Sequence, residues 1–290
     1  MSWQGNNLIQ QRVDRENYTH KEKLMTKMKT RFLRNKDLIP LNKLSEIGIV
    51  GLGGIGSFLV QSLSIMGWKT IIGYDSDNVE EHNFSSTAYP LHEVGNAKSQ
   101  AAHNLHKQYS EHWQTFLPED HYDRGTPILP NMIVCTDDME SRKMVYERWK
   151  KELKNIHPRE QFNDAFLIDL RMGATVTEMI TVVPRHDNYM ESWMPTADMT
   201  PEPCSMRHTV FATQHIVSYG VAQVYNVIAN LAFYDYIRAS LTPNEVEFGN
   251  LIVPTIKQGD ADATKDSRAN GIDRLEGNAS RSDLSVYRAT

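Results

Sequence analysis

Gly51-Leu52-Gly53-Gly54-Ile55-Gly56 has the spacing of a backbone that turns sharply, lets a phosphate approach, and aims the positive end of a helix dipole at it. The short apolar run Ile47-Gly48-Ile49-Val50 precedes it, and Ser57 to Leu63 follows with its apolar residues at helical intervals. The glycines therefore lie between a strand and a helix. A second apolar run, Thr70 to Tyr74, ends at Asp75, about twenty residues on, where an acid accepts hydrogen bonds from ribose hydroxyls. A glycine fingerprint alone fits a nicotinamide dehydrogenase, an ATP-using enzyme, or a turn that holds no ligand. The residues after Asp75 separate these readings.

Asp75-Ser76-Asp77-Asn78-Val79-Glu80-Glu81-His82-Asn83-Phe84 resembles the D-x-D-x-V-x-x-x-N-L motif of the ubiquitin-activating-enzyme-like (ThiF/MoeB) superfamily of adenylyltransferases. Val94-Gly95-Asn96-Ala97-Lys98 resembles its V-G-x-x-K, and Thr136-Asp137-Asp138 with Arg142 resembles its T-D-N…R element. The resemblance implies a Rossmann-like α/β fold and ATP-dependent activation of a carboxylate as an acyl-adenylate. It also implies roles: Asp75 and Asp77 beside the nucleotide, with Asp75 on the ribose, Asn83 and Lys98 on the phosphates, and Asp137 on Mg²⁺. Such chemistry is in-line attack on the α-phosphate with loss of pyrophosphate, which calls for cations at the phosphates and a carboxylate for the metal. Taken singly, each residue has an ordinary explanation as a capping acid, a turn asparagine or a solvated lysine.

The chain departs from the family at one cation. Biosynthetic members follow the asparagine with a polar pair that includes an arginine on the polyphosphate, whereas this sequence reads Asn83-Phe84-Ser85-Ser86-Thr87. Two substitutes are available: Arg171, where an apolar strand ends, and Arg34, in a segment resembling the N-terminal arm that reaches across the dimer in related enzymes. A catalytically inactive, nucleotide-binding scaffold is the alternative that the missing cation raises. Cys204, in Pro203-Cys204-Ser205-Met206-Arg207-His208, matches the position where many members carry a cysteine that takes the activated acyl group. A helix N-terminus and neighbouring cations lower a thiol's pKa. Cys135, inside an apolar strand, reads as packing. Neither cysteine belongs to a C-x-x-C pair, so the zinc pairs of the biosynthetic branch are missing and the resemblance is to the shorter, zinc-free bacterial and phage ThiF-type proteins.

The elements that must position these groups are legible in outline. Residues 1–45 are polar and lysine-rich, with helical propensity from Lys21 to Leu33, and read as an arm before an adenylation domain at 46–256. Within that domain the pattern gives helices over Asn96–Gln108 and Met139–Leu153, strands at Met132–Cys135, Ala165–Asp169 and Ala174–Val183, and a core helix in the run Thr209–Ile237. Alternating strands and helices predict a doubly wound, mostly parallel sheet with its ligand crevice at the strands' carboxyl ends. Pro184 to Cys204 reads as a long functional loop, and 257–290 has the composition of a disordered tail.

With 31 basic against 36 acidic residues, the net charge of −5 gives no general attraction to nucleic acid or anionic membrane. Two cysteines and no apolar leader point to a soluble protein of the reducing cytosol. By resemblance, the carboxyl partner is the C-terminal glycine of a small ubiquitin-like or sulfur-carrier protein, or a peptide. A single glycine fingerprint preceded by an arm implies a homodimer.

Overall fold

The computed structural model describes residues 31–35, 37–110, 128–156, 165–198 and 209–254. Its central sheet begins with β1 (Glu46–Val50), β2 (Thr70–Tyr74), β3 (Asn131–Val134) and β4 (Phe166–Met172) and continues through β5 (Val176–Val182), β7 (Tyr236–Leu241) and β8 (Asn244–Phe248). The strand order is β2-β1-β3-β4-β5-β7-β8. The first four are parallel, and the other three are added antiparallel. β6 (Phe233–Tyr234) and β9 (Leu251–Ile252) form a separate antiparallel pair. The α/β, Rossmann-like expectation holds, and the parallel strands carry the glycine loop.

Alternation along the parallel strands feeds two cores, as period-two geometry requires. Ile47, Ile49, Ile133, Phe166 and Ile168 join a core shared with α1 (Gly54–Met66), α2 (Lys98–Lys107) and α4 (Val210–Ile228). Val50, Met132, Val134 and Leu167 face the other way, onto Val145, Tyr146 and Trp149 of α3 (Met139–Ile156). Helices thus cover both faces, and the loops after β1, β3 and β4 emerge side by side.

Most strands and helices shift by one to three residues at their ends, and two of the differences have a clear local cause. α2 starts at Lys98 rather than Asn96, because Gly95 has φ 87° and Ala97 is extended as the cap. α4 stops at Ile228 because Asn230 takes φ 57°, the left-handed conformation that ends helices, and Leu231 N–H turns back to the Asn226 carbonyl. The rest of the run Thr209–Ile237 enters β6 and β7. No helix among the described residues is long and apolar enough to cross a membrane.

Of the expected arm, the described part folds against the domain. Arg31 donates to the Ser64 carbonyl at 2.8 Å, and Phe32 is buried where its ring fills the space a Gly67 side chain would need. Gly67 itself caps α1 at φ 115°. The expected tail lies outside the described residues.

Candidate active site

The loop after β1 is shaped by contacts that allow no side chains. Gly51 has φ 94°, and a Cβ on Gly56 would fall 2.0 Å from the Gly51 carbonyl oxygen, so loop and helix touch backbone to backbone. A Cβ on Gly53 would instead meet open space. α1 is preceded by the N-cap Gly53, which offers no side-chain hydrogen bond and leaves the amides of its first turn to an external acceptor. Beneath the loop, Cys135 Sγ donates to the Gly51 carbonyl at 2.9 Å, and burial pushes its thiol pKa up to about 12. The packing role expected for Cys135 is what these contacts describe.

Asp75 is brought to the loop by the parallel pairing of β1 with β2. Its Oδ2 accepts from Leu52 N–H at 2.7 Å and its Oδ1 from Asp77 N–H at 2.9 Å. Each oxygen retains a lone pair for a hydroxyl donor. Lys98, the first residue of α2, places Nζ 2.7 Å from Asp77 Oδ2 and 3.6 Å from Asp75 Oδ1. Glycine loop, Asp75, Asp77 and Lys98 therefore form one connected group with acids and ammonium in contact.

Asn83 sits in the 3-10 turn Glu81–Ser85, where its Oδ1 accepts from Glu80 N–H at 2.9 Å in a reciprocal capping box. Its carboxamide oxygen is thereby committed to a turn, while its Nδ2 bonds to no described residue. The following segment reaches α1: Ala88 N–H donates to Ser57 Oγ at 2.9 Å, and that hydroxyl donates to the Gly54 carbonyl at 2.9 Å.

Beyond β3, Cys135 and Thr136 press against Gly51, whose Cβ would lie within 2.9 Å of their backbone. Asp137 follows, exposed and bonded to no described residue. Asp138 is engaged, its Oδ1 accepting from Ser141 N–H at 2.6 Å at the start of α3. Asp137 is thus an unengaged carboxylate one residue beyond the backbone that touches Gly51, and among the described residues no group of three or more His, Cys, Asp or Glu side chains could hold a metal ion. Over the same helix start lies part of the long loop: Met139 N–H donates to Thr196 Oγ1 and Trp193 Nε1–H to the Met139 carbonyl, both at 2.9 Å.

The two arginines nominated for the polyphosphate are placed differently. Arg34 is exposed on the arm and contacts no residue of the glycine loop. Arg171 is largely buried, with Nε on Asp169 Oδ2 at 2.9 Å, Nη1 on the Ser192 carbonyl at 3.0 Å and Glu178 at 3.8 Å. None of these partners belongs to the nucleotide group, so a phosphate would have to draw Arg171 away from them. Cys204 lies outside the described residues.

A feature that the sequence does not announce is the ionic cluster around Asp169, a fully buried acid in the middle of β4. Arg142 bonds to Asp169 Oδ1, to the Leu170 carbonyl at 3.0 Å and to the Thr136 carbonyl. Tyr189 donates its hydroxyl to Asp169 Oδ2 at 2.9 Å. Burial and the nearby Asp169 carboxylate raise the Tyr189 pKa, which keeps that hydroxyl a donor. The sequence offered the motif arginine Arg142, Arg171 at a strand end and an acid in an apolar strand, but not their contact.

The ThiF family model matches residues 26–258. The chain belongs to the ThiF family. Membership puts it among the ThiF-type adenylyltransferases. No curated protein matches the sequence. Among solved structures this ThiF-family chain is similar to PaaA, at 15% identity and TM-score 0.55 over 73% of this chain and 66% of that one. It is similar also to *E. coli* MccB, at 15% identity and TM-score 0.58 over 75% and 66%. A structure of *E. coli* MccB with ATP gives 14% and 0.54 over 75% and 68%. At that identity the likeness is one of fold. The ThiF-family chain spans about two thirds of the length of these structures.

Proposed function

We propose that the chain binds Mg·ATP over the glycine loop and activates a carboxylate as an acyl-adenylate. The observation that carries this reading is the joined group of Leu52, Asp75, Asp77 and Lys98 around the uncapped start of α1, with the unengaged Asp137 alongside. Asp75 accepts from the ribose hydroxyls. The first-turn amides and Lys98 hold the phosphates, the lysine exchanging Asp77 for a stronger anionic partner, and Asn83 would assist through its Nδ2. Asp137 would hold Mg²⁺, whose charge offsets that of the phosphates. The substrate carboxylate attacks the α-phosphorus and pyrophosphate leaves. A dehydrogenase gives Lys98 and Asp137 no task, which sets it below this reading.

The carboxylate we propose is the C-terminus of a ubiquitin-like or sulfur-carrier protein or of a peptide. The solved structures of *E. coli* MccB include one with ATP and one with AMPCPP and MccA, which supports a nucleotide and a second partner in one fold. Transfer of the acyl group to Cys204 would follow adenylation. ATP–pyrophosphate exchange with candidate substrates tests the reading. Exchange should be robust in the wild type, lower by about 10²-fold in Lys98→Ala, and preserved in Cys204→Ala. Micromolar NAD binding without ATP binding would overturn it.

The second reading, an inactive nucleotide-binding scaffold, is favoured by the commitment of Arg171 to Asp169 and Ser192. ATP binding without exchange for any substrate would select it. A homodimer is the proposed assembly, because the exposed Arg34 and Leu38 of the arm are available to a neighbour, with Arg34 acting across the interface. Light scattering should then give about twice the 33.2 kDa chain mass. A strict monomer that still exchanges pyrophosphate would exclude Arg34 from that role.

A further inference from the structure

Leu52, in the glycine loop, is held at both ends of its backbone. Its N–H is taken by Asp75, and its carbonyl accepts from the Tyr89 hydroxyl at 2.7 Å. Tyr89 is 4% exposed. The same hydroxyl lies 3.4 Å from the Lys98 carbonyl, the weaker arm of a shared contact. Burial, with the Asp75 carboxylate nearby, raises its pKa well above the ordinary tyrosine value, so the proton stays on the hydroxyl as a donor. One residue earlier, Ala88 is bonded to Ser57 on α1.

We infer that the Tyr89 hydroxyl is a positioning group that locks the glycine loop to the start of α2, so that phosphate amides and Lys98 are presented in fixed relation. The inference rests on the ATP reading above. Without the hydroxyl, the Leu52 carbonyl loses its buried donor, and of the two contacts on the Leu52 backbone only the Asp75 one remains. The loss falls on groups that meet phosphate, while Asp75, which meets ribose, keeps its own anchor.

Titration calorimetry of the full chain with ATP and with adenosine, for wild type, Tyr89→Phe, Lys98→Ala and the double variant, tests this without any carboxyl substrate. Circular dichroism confirms that each is folded, and Tyr89→Phe keeps the ring that fills the core. Tyr89→Phe should weaken ATP about tenfold and change adenosine less than twofold. In the Lys98→Ala background the same change should cost clearly less, because the lysine it helps to place is gone. Equal losses for ATP and adenosine, or additive losses in the double variant, would make the hydroxyl a packing group and overturn the inference. A wild type that binds no ATP overturns the ATP reading with it; a wild type that binds ATP while Tyr89→Phe is unchanged overturns only the positioning role.

Discussion

Asp137→Ala is expected to reduce ATP–pyrophosphate exchange by about 10³-fold, the size of the several kcal/mol that a bound metal contributes to phosphoryl chemistry. Nucleotide affinity should move far less, since amides, Lys98 and Asp75 remain. The neighbouring Asp138 supplies the control. It caps α3 through Ser141, so Asp138→Ala should cost about 1 kcal/mol of stability and leave exchange near wild type. The two acids are adjacent in sequence and differ in what already occupies them. Near-normal exchange in Asp137→Ala, or a greater loss in Asp138→Ala, would move the metal away from Asp137.

The second large effect is on stability. Arg142→Met should lower unfolding free energy by about 3–5 kcal/mol, the range for removing one partner of a buried ion pair, read from urea midpoints. It also frees the Thr136 carbonyl just before Asp137, so exchange should fall in the folded fraction as well. Asp169→Leu should be worse, because it strands two guanidinium groups and the Tyr189 hydroxyl. The double variant Arg142→Met/Asp169→Leu should be less destabilised than the two losses added together, since it removes charge and partner at once. Additive losses would show that the pair is not energetically coupled.

The nucleotide half of the site was legible because its parts are local. Strand, glycines, helix and following acid lie within one β-α-β unit, and the short parallel pairing of β1 with β2 leaves Asp75 little choice of position. Lys98 was legible by motif. Its partners were not: that Asp77 and Asp75 share its ammonium follows from the turn Asp77–Lys98 closing on itself, with Lys98 N–H on the Asp77 carbonyl. Asn83 shows how one residue carries two readings, for the Glu80-x-x-Asn83 spacing of a capping box overlaps the phosphate motif.

Other features needed the fold. Thr136, Arg142, the β4 pair Asp169 and Arg171, and Tyr189 come from four separate stretches of chain and meet only when β3 and β4 pair and α3 crosses behind them. Tyr89 lies in a connecting segment with no periodicity. The β7–β8 hairpin escaped because every residue of β8 is exposed, so its sequence has no apolar face to alternate.

The thiol beneath the glycine loop also decides what reagents can see. With burial pushing its pKa up and its sulfur turned onto the Gly51 carbonyl, Cys135 is held as the thiol, while thiolate is the form that reacts. The chain has only two cysteines. Alkylation, disulfide exchange or fluorophore coupling on the native protein should therefore pass over Cys135.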